Sequence, residues 1–532
     1  MGNNKRYMVL VALTVALGGF VWGFDATVIS GAAPFLQKYF GLTGSRGDLL
    51  LGLAVSCLGW GVLGGTAVSG FFSDRFGRKK VLIATAVLFT GTSLLAALTT
   101  NFELFVVARL LAGLAVGGAI LIAPVYIAEI SPPKLRGSLV SLNQLMIVSG
   151  ISASFFSNYF LVDIGENNWR WMLGMDAVPA TLYFFLLFAV PESPRWLFSK
   201  GQPELAQEIL ARACGAEEAG RELDNIRQSF AVHAPRIRLG ALFGRELRFI
   251  MFIALVIAFF QQITGINAIF YYLPTIFVQA GGGTNAAFRQ AVLVGLVNLG
   301  MTFVAIWLVD RLGRKPLLVI GAAGMALSLL TCSWAFHNAD YRLTEKSFTV
   351  LRDNKVPADL LKDLQTAGPE AYATDKAFLD ALDQRFGADR LKPYHDSLAT
   401  AGLNIRASLV LFAIIGFVAS FAISLGPVMW VLLSEIFPNQ YRGAAISLAG
   451  FWNSAISASV TLVFPWELTH LGPAGTFLGY GAMAAAAVVF VLAFIPETKG
   501  KTLEELEQIL MRSDKGTATT RTSRPEFSHE DK

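Results

Sequence analysis

The chain has 532 residues, 54% hydrophobic and only 15% charged, with mean hydropathy +0.54, and its apolar residues come in blocks of about twenty, the length that crosses a hydrocarbon core of roughly 30 Å. That pattern excludes a string of soluble domains, in which roughly 25% of residues are charged. The net charge of +5 comes from short basic clusters between blocks, not from one basic face, so nucleic acid is excluded as a partner.

Lys5 and Arg6 precede an apolar run, 8–31, that has no small-residue cleavage site and reads as a retained first span. Further spans are predicted near 48–70, 80–99, 102–128, 138–162 and 171–191, completing an N-terminal six-helix bundle over 1–191. A hydrophilic linker, 192–246, follows. Within it Pro203-Glu204-Leu205-Ala206-Gln207-Glu208-Ile209-Leu210 starts with proline and has helical apolar spacing, predicting surface helices between the two halves. The second set of spans lies near 247–279, 288–309, 316–336, 406–434, 443–466 and 471–495, a C-terminal six-helix bundle over 247–496. It is interrupted at 337–404 by an insertion charged with both signs, in which Phe378, Leu379, Leu382 and Phe386 predict a small helical extracytoplasmic cap. Residues 497–532 read as a helix opened by the capping-box spacing Thr502-Leu503-Glu504-Glu505, then a tail of disordered composition. The fold class is an all-α membrane protein of twelve transmembrane helices.

An even number of spans puts both termini on one side. The basic residues of the 75–80, 134–136 and 311–315 loops and Arg442 fall on that side, and the positive-inside bias makes it the cytoplasm. Cys57, Cys214 and Cys332 lack metal spacing, the histidines are scattered, and no nucleotide loop follows a strand. No enzyme chemistry, metal or cofactor is expected.

The chain repeats itself. Asp74-Arg75-Phe76-Gly77-Arg78-Lys79 recurs as Asp310-Arg311-Leu312-Gly313-Arg314-Lys315; Glu129-Ile130-Ser131-Pro132 with Arg136-Gly137 recurs as Glu435-Ile436-Phe437-Pro438 with Arg442-Gly443; Pro191-Glu192-Ser193 recurs as Pro496-Glu497-Thr498. One six-span unit used twice makes two pseudo-symmetric bundles and places a substrate at their interface near the bilayer midplane. The repeated charges predict ion pairs that close the cytoplasmic side in one state and separate in the other. They are Asp74, Arg75, Arg78, Glu129, Arg136, Glu192 and Arg195 in the first half, and Asp310, Arg311, Arg314, Glu435, Arg442 and Glu497 in the second. The alternative is plain orientation punctuation.

Charged groups inside a span are costly, and Asp25 and Arg109 stand out. An aspartate neutralised by a proton in one state and paired with Arg109 in another couples proton movement to transport; the alternative is a static buried pair. Among neutral polar groups the densest run is Gln261-Gln262-Ile263-Thr264-Gly265-Ile266-Asn267-Ala268-Ile269-Phe270-Tyr271-Tyr272. Two adjacent amides are not both expected to be helix-to-helix glue. Gly265 permits a break, and Asn267 and Tyr271 share a face. Gln144, Asn298 and Asn453 add amides from other spans, and Trp430 follows the helix-weakening Gly426-Pro427. Amides that donate and accept, beside an indole that can stack, suit a neutral polyhydroxylated ligand.

At these residues the chain resembles the sugar porter family of the major facilitator superfamily, over about 1–336 and 405–510. The matching stretches include Gly23-Phe24-Asp25, both Asp-Arg-X-Gly-Arg-Lys loops, Pro124 to Glu129, Pro191-Glu192-Ser193-Pro194-Arg195-Trp196, Gln261 to Tyr272, Gly426-Pro427 to Trp430, and Pro496 to Gly500. The resemblance implies alternating access by two six-helix halves, with sugar contacts on Gln144, Gln261, Gln262, Asn267, Asn298, Trp430 and Asn453. In proton-coupled members an acid occupies the Asp25 position and pairs with an arginine matching Arg109. Ser454 departs from the tryptophan that many members carry there. The expected protein is a monomeric sugar:proton symporter for a hexose or pentose in the plasma or inner membrane, its partners being sugar, proton and lipid bilayer. A passive facilitator, a polyol or inositol transporter and a non-transporting sugar sensor are the alternatives.

Overall fold

The computed structural model describes residues 3–231, 239–245, 247–353, 356–368, 370–372 and 375–499. Among them are twelve helices long and apolar enough to cross a membrane: Arg6–Tyr39, Gly44–Phe76, Arg78–Leu98, Phe102–Ile130, Leu135–Leu161, Asn168–Phe188, Arg248–Tyr271, Thr284–Val309, Arg314–His337, Ala407–Ile436, Gln440–His470 and Gly472–Phe494, hereafter spans 1 to 12. Helices satisfy their own backbone polar groups, which hydrocarbon cannot. The helix expected at 502–510 and the tail beyond it lie outside the described residues.

Three spans are broken. Span 6 divides at Asp176 into Asn168–Met175 and Ala177–Phe188. Span 7 divides at Thr264 and Gly265, with Ile266–Tyr271 and then Leu273–Gln279 beyond. Span 10 divides at Ser424, just ahead of Gly426-Pro427, where proline cannot continue the helix's hydrogen bonds.

We call the face bearing the basic loops the basic face and the opposite one the insertion face. The halves are joined toward the insertion face. Spans 2 and 11 touch so closely that a Cβ on Gly52 would stand 1.9 Å from the Leu462 main-chain oxygen. Ser152 of span 5 donates to the Gly295 carbonyl of span 8 at 2.8 Å, and Ser45 and His470 are hydrogen-bonded at 2.9 Å. One buried core runs from Ile29, Leu36 and Phe105 of the first half to Ile266, Phe270 and Phe277 of the second.

The 192–246 stretch forms helices Pro194–Ser199, Pro203–Cys214 and Ala216–Ala231. Ala206, Ile209, Leu210 and Ala213 pack with Met8 and Val11 of span 1 in a second core, so this part of the linker is docked on the first half. The insertion is helical, with a core of its own that includes Leu351, Leu360, Phe378, Leu382 and Leu398. Its base, which the sequence pattern does not announce, is a two-stranded antiparallel ribbon pairing Asp340 with Asn404 and Tyr341 with Leu403.

Candidate functional site

Four amides and a hydroxyl form a closed cluster in the second half. Gln261 donates to the main-chain oxygens of Leu425 (2.7 Å) and Gly426 (3.3 Å), bridging the break in span 7 to that in span 10. Asn453 of span 11 donates to Gln261 Oε1 at 2.7 Å and to the Ala258 carbonyl at 2.9 Å, and accepts from Gln262 at 3.1 Å. Asn267, beyond the break, donates to Gln262 Oε1 at 2.9 Å and to Ser457 Oγ at 2.7 Å. Both adjacent glutamines therefore do bind neighbouring helices, against the sequence-based expectation, because the break turns Asn267 back onto Gln262 while span 11 passes beside both. Buried amides must find partners, and here they find one another.

The other predicted contacts stand outside this cluster. Gln144 is exposed and Asn298 is buried; both lie on the basic-face side of the Ser152 to Gly295 join, with no side-chain hydrogen bond to the described residues. Trp430, 40% exposed, lies one helical turn after Gly426 and faces Gly450, whose Cβ would be 3.5 Å from the indole. Tyr271 makes no hydrogen bond to the amides among the described residues; it packs across the interface against Trp22, Ala26, Leu58 and Ala112 of the first half. Trp452, two residues from Ser454, turns away and donates to the Leu255 carbonyl at 3.2 Å.

Asp25 of span 1 and Arg109 of span 4 are 1% and 3% exposed and form an ion pair. A second Arg109 nitrogen reaches the Asp25 main-chain oxygen at 3.4 Å. Asp25 Oδ2 and Arg109 Nε have no hydrogen-bond donor or acceptor assigned to them among the described residues. Sequence reading missed a third charged group: Asp176, 1% exposed at the break in span 6, accepts from Ser93 at 3.0 Å and lies close enough to Asp25 for the two carboxyls to interact. An acid inside a span is itself the signal that finds it.

On the basic face the repeat is reproduced residue for residue. Arg78 binds Glu129 through two bonds of 3.0 Å, and Arg314 binds Glu435 at 2.8 Å. The main-chain N–H groups of Arg78 and Lys79 donate to Glu192 at 2.9 and 3.1 Å; those of Arg314 and Lys315 donate to Glu497 at 3.1 Å. Glu192 and Glu497 are thus caps on the helix starts of spans 3 and 9, where free N–H groups and the helix dipole favour an anion. Ser193 and Thr498 hydroxyls donate to Glu129 and Glu435. Gly77 and Gly313, at φ +99° and +93°, make the turns, and a Cβ on either would meet its cap within 3 Å.

Asp74 joins Arg78 at 3.2 Å, and the side chain of Asp310 lies outside the described residues. Five predicted ion-pair arginines bind no acid among the described residues. Arg136 donates to the Ala128 and Ser131 carbonyls and Arg442 to the Phe437 carbonyl, the exposed ends of the preceding spans. Arg75 and Arg311 lie over the rings of Phe76 and Trp307, and Arg195 lies over Phe230 and donates to Ser229. The pairs of Arg78 with Glu129 and of Arg314 with Glu435 stay within their own halves.

Residues 11–349 and 397–510 match the Sugar (and other) transporter family. The chain belongs to that family. The unmatched residues between these two segments fall inside the insertion. The arabinose-proton symporter of Bacillus subtilis is 33% identical over 516 residues, 96% of each chain, and the D-xylose-proton symporter of Escherichia coli is 33% identical, covering 98% of this chain and 99% of that one. The inward open conformation of the xylose transporter XylE from E. coli superposes with a TM-score of 0.72 at 31% identity, covering 94% of this chain and all of the other. The family member described here is a multi-pass transporter of the sugar porter type, with the major facilitator fold, and not an enzyme.

Proposed function

We propose that the chain is a sugar:proton symporter for a pentose or hexose, acting as a single chain in the plasma membrane with its basic face and both termini in the cytoplasm. The observation that carries the coupling is the buried Asp25–Arg109 pair. A proton on Asp25 cancels its charge and frees Arg109, so taking up the proton and separating the pair become one event. The ring hydroxyls of the sugar replace the bonds that Gln261, Gln262, Asn267 and Asn453 make to one another, and Gln144, Asn298 and Trp430 close on it from the remaining sides. The join between spans 2 and 11, and between spans 5 and 8, is the barrier toward the insertion face; it opens when the halves rock the other way. The arginines that meet carbonyls, rings or a hydroxyl here pair with acids when the basic face closes.

The test uses liposomes holding the purified protein, with a pH-sensitive dye outside, to which D-xylose, L-arabinose, D-glucose and myo-inositol are added in turn. Sugar-dependent alkalinisation of the medium supports symport and names the substrate. Flux without proton movement would leave a passive facilitator, and flux only with inositol would move the substrate to cyclitols.

A further inference from the structure

The break in span 7 is held from behind. Gly265 sits at φ +85°, a conformation in which glycine replaces side-chain-bearing residues. The ring of Tyr480, from span 12, lies against it: a Cβ on Gly265 would stand 2.6 Å from Tyr480 Cδ2. The Tyr480 ring is nearly parallel to Phe464 of span 11, 7° apart with centroids at 6.1 Å, and Phe464 in turn packs on Tyr272, just past the break, at 5.2 Å. Tyr480 is 5% exposed, so its hydroxyl needs a partner. It donates to Glu467 Oε2 of span 11 at 2.6 Å, the short distance of a bond to a carboxylate.

The break divides the amide cluster. Gln261 and Gln262 lie before it and Asn267 after it, so the turn at Gly265 sets whether Asn267 stays 2.9 Å from Gln262 and 2.7 Å from Ser457. A ring pinned at its hydroxyl end cannot tilt away from the glycine that it supports. The carboxylate is needed only as an oxygen acceptor.

We propose that Tyr480, anchored by Glu467, is a positioning residue for substrate recognition: it holds the broken span 7 in the shape that keeps Asn267 level with Gln261 and Gln262. This rests on the amide cluster being the sugar site. Tyr480 and Glu467 have no hydrogen bond to that cluster and act on it through Gly265, Phe464 and Tyr272.

The experiment measures uptake of labelled D-xylose and D-glucose by the full chain in liposomes. Tyr480→Phe keeps the ring and removes the hydroxyl; KM rises roughly three- to tenfold, the range for losing one hydrogen bond, while the maximal rate per folded protein stays within about twofold. Glu467→Ala has the same effect, Glu467→Gln restores most of the affinity, and the Tyr480→Phe/Glu467→Ala double variant is no worse than either single one. A fall in folded protein or in maximal rate with KM unchanged would mean a structural role only and overturn the inference, as would Glu467→Gln behaving like Glu467→Ala. Asn453→Ala is measured alongside. If it leaves KM unchanged, the amide cluster is not the site and the underlying reading fails; if it raises KM while Tyr480→Phe does not, the positioning inference alone fails.

Discussion

Arg109 grips Asp25 at two points, the carboxylate and the main-chain oxygen of the same residue. The second contact, at 3.4 Å, is long and does not depend on the charge of the carboxyl. In the proposed coupling, a proton on Asp25 removes the charge that holds the first contact, and the second is then too weak to keep the pair together.

Asp25→Asn keeps the shape and removes the group proposed to carry the proton. Accumulation of sugar against a gradient should be lost, while exchange of labelled for unlabelled sugar stays within about threefold of the parent. Initial uptake by the parent should fall as the outside pH is raised from about 6 to about 8, since fewer protons are available to bind, and the variant's exchange should be flat across that range. Retained uphill accumulation in the variant would remove Asp25 from the coupling.

Asn453→Ala strips partners from both Gln261 and Gln262. We expect sugar affinity to fall roughly tenfold, about 1.4 kcal/mol, because the remaining amides are left to re-pair with each other. Quenching of Trp430 fluorescence by sugar, with Trp430→Phe as the blank, reports it; an unchanged affinity would exclude Asn453 from the site.

What the sequence could and could not announce follows from what each residue depends on. The spans are legible because apolar length is a local property, and the break at Gly265 is legible because glycine there sits among amides. Asp176 was passed over: it falls just inside the sixth apolar block, where an acid looks like part of the boundary, and only the fold brings it to Asp25. Arg78 and Arg136 carry the same charge in loops of the same side, yet Arg78 lies over Glu129 while Arg136 turns back onto the end of span 4. Ser457, one turn from Asn453, could have been found by extending the amide face of span 11 by four residues.

The caps on spans 3 and 9 give a paired test. Glu192→Ala and Glu497→Ala each leave two main-chain N–H groups without their carboxylate. Each should cost about 1 kcal/mol of stability, adding in the double variant because the two lie in separate halves. Gly313→Ala, at φ +93° with its Cβ 2.8 Å from Glu497 Oε2, should cost about 1–2 kcal/mol. Thermal unfolding in detergent measures all of these, and strong coupling between the two glutamates would contradict the separation.

The insertion can be removed on paper at its neck. Tyr341 and Leu403 are register partners in an antiparallel pair, so replacing 342–402 by Asn-Gly closes the ribbon with a two-residue hairpin turn. Since the excised part carries its own core, transport should stay within about twofold of the parent. Loss of sugar uptake with the protein still folded would give the insertion a part in the cycle.

A symporter must make half of its journey with nothing aboard. In the proposed cycle the unloaded site must be enclosed between the halves, where an amide left without a partner costs about 1–3 kcal/mol. The mutual bonds of Gln261, Gln262, Asn267 and Asn453 remove that toll. A carrier wired in this way has no unpaired amide in that cluster to hinder its unloaded return.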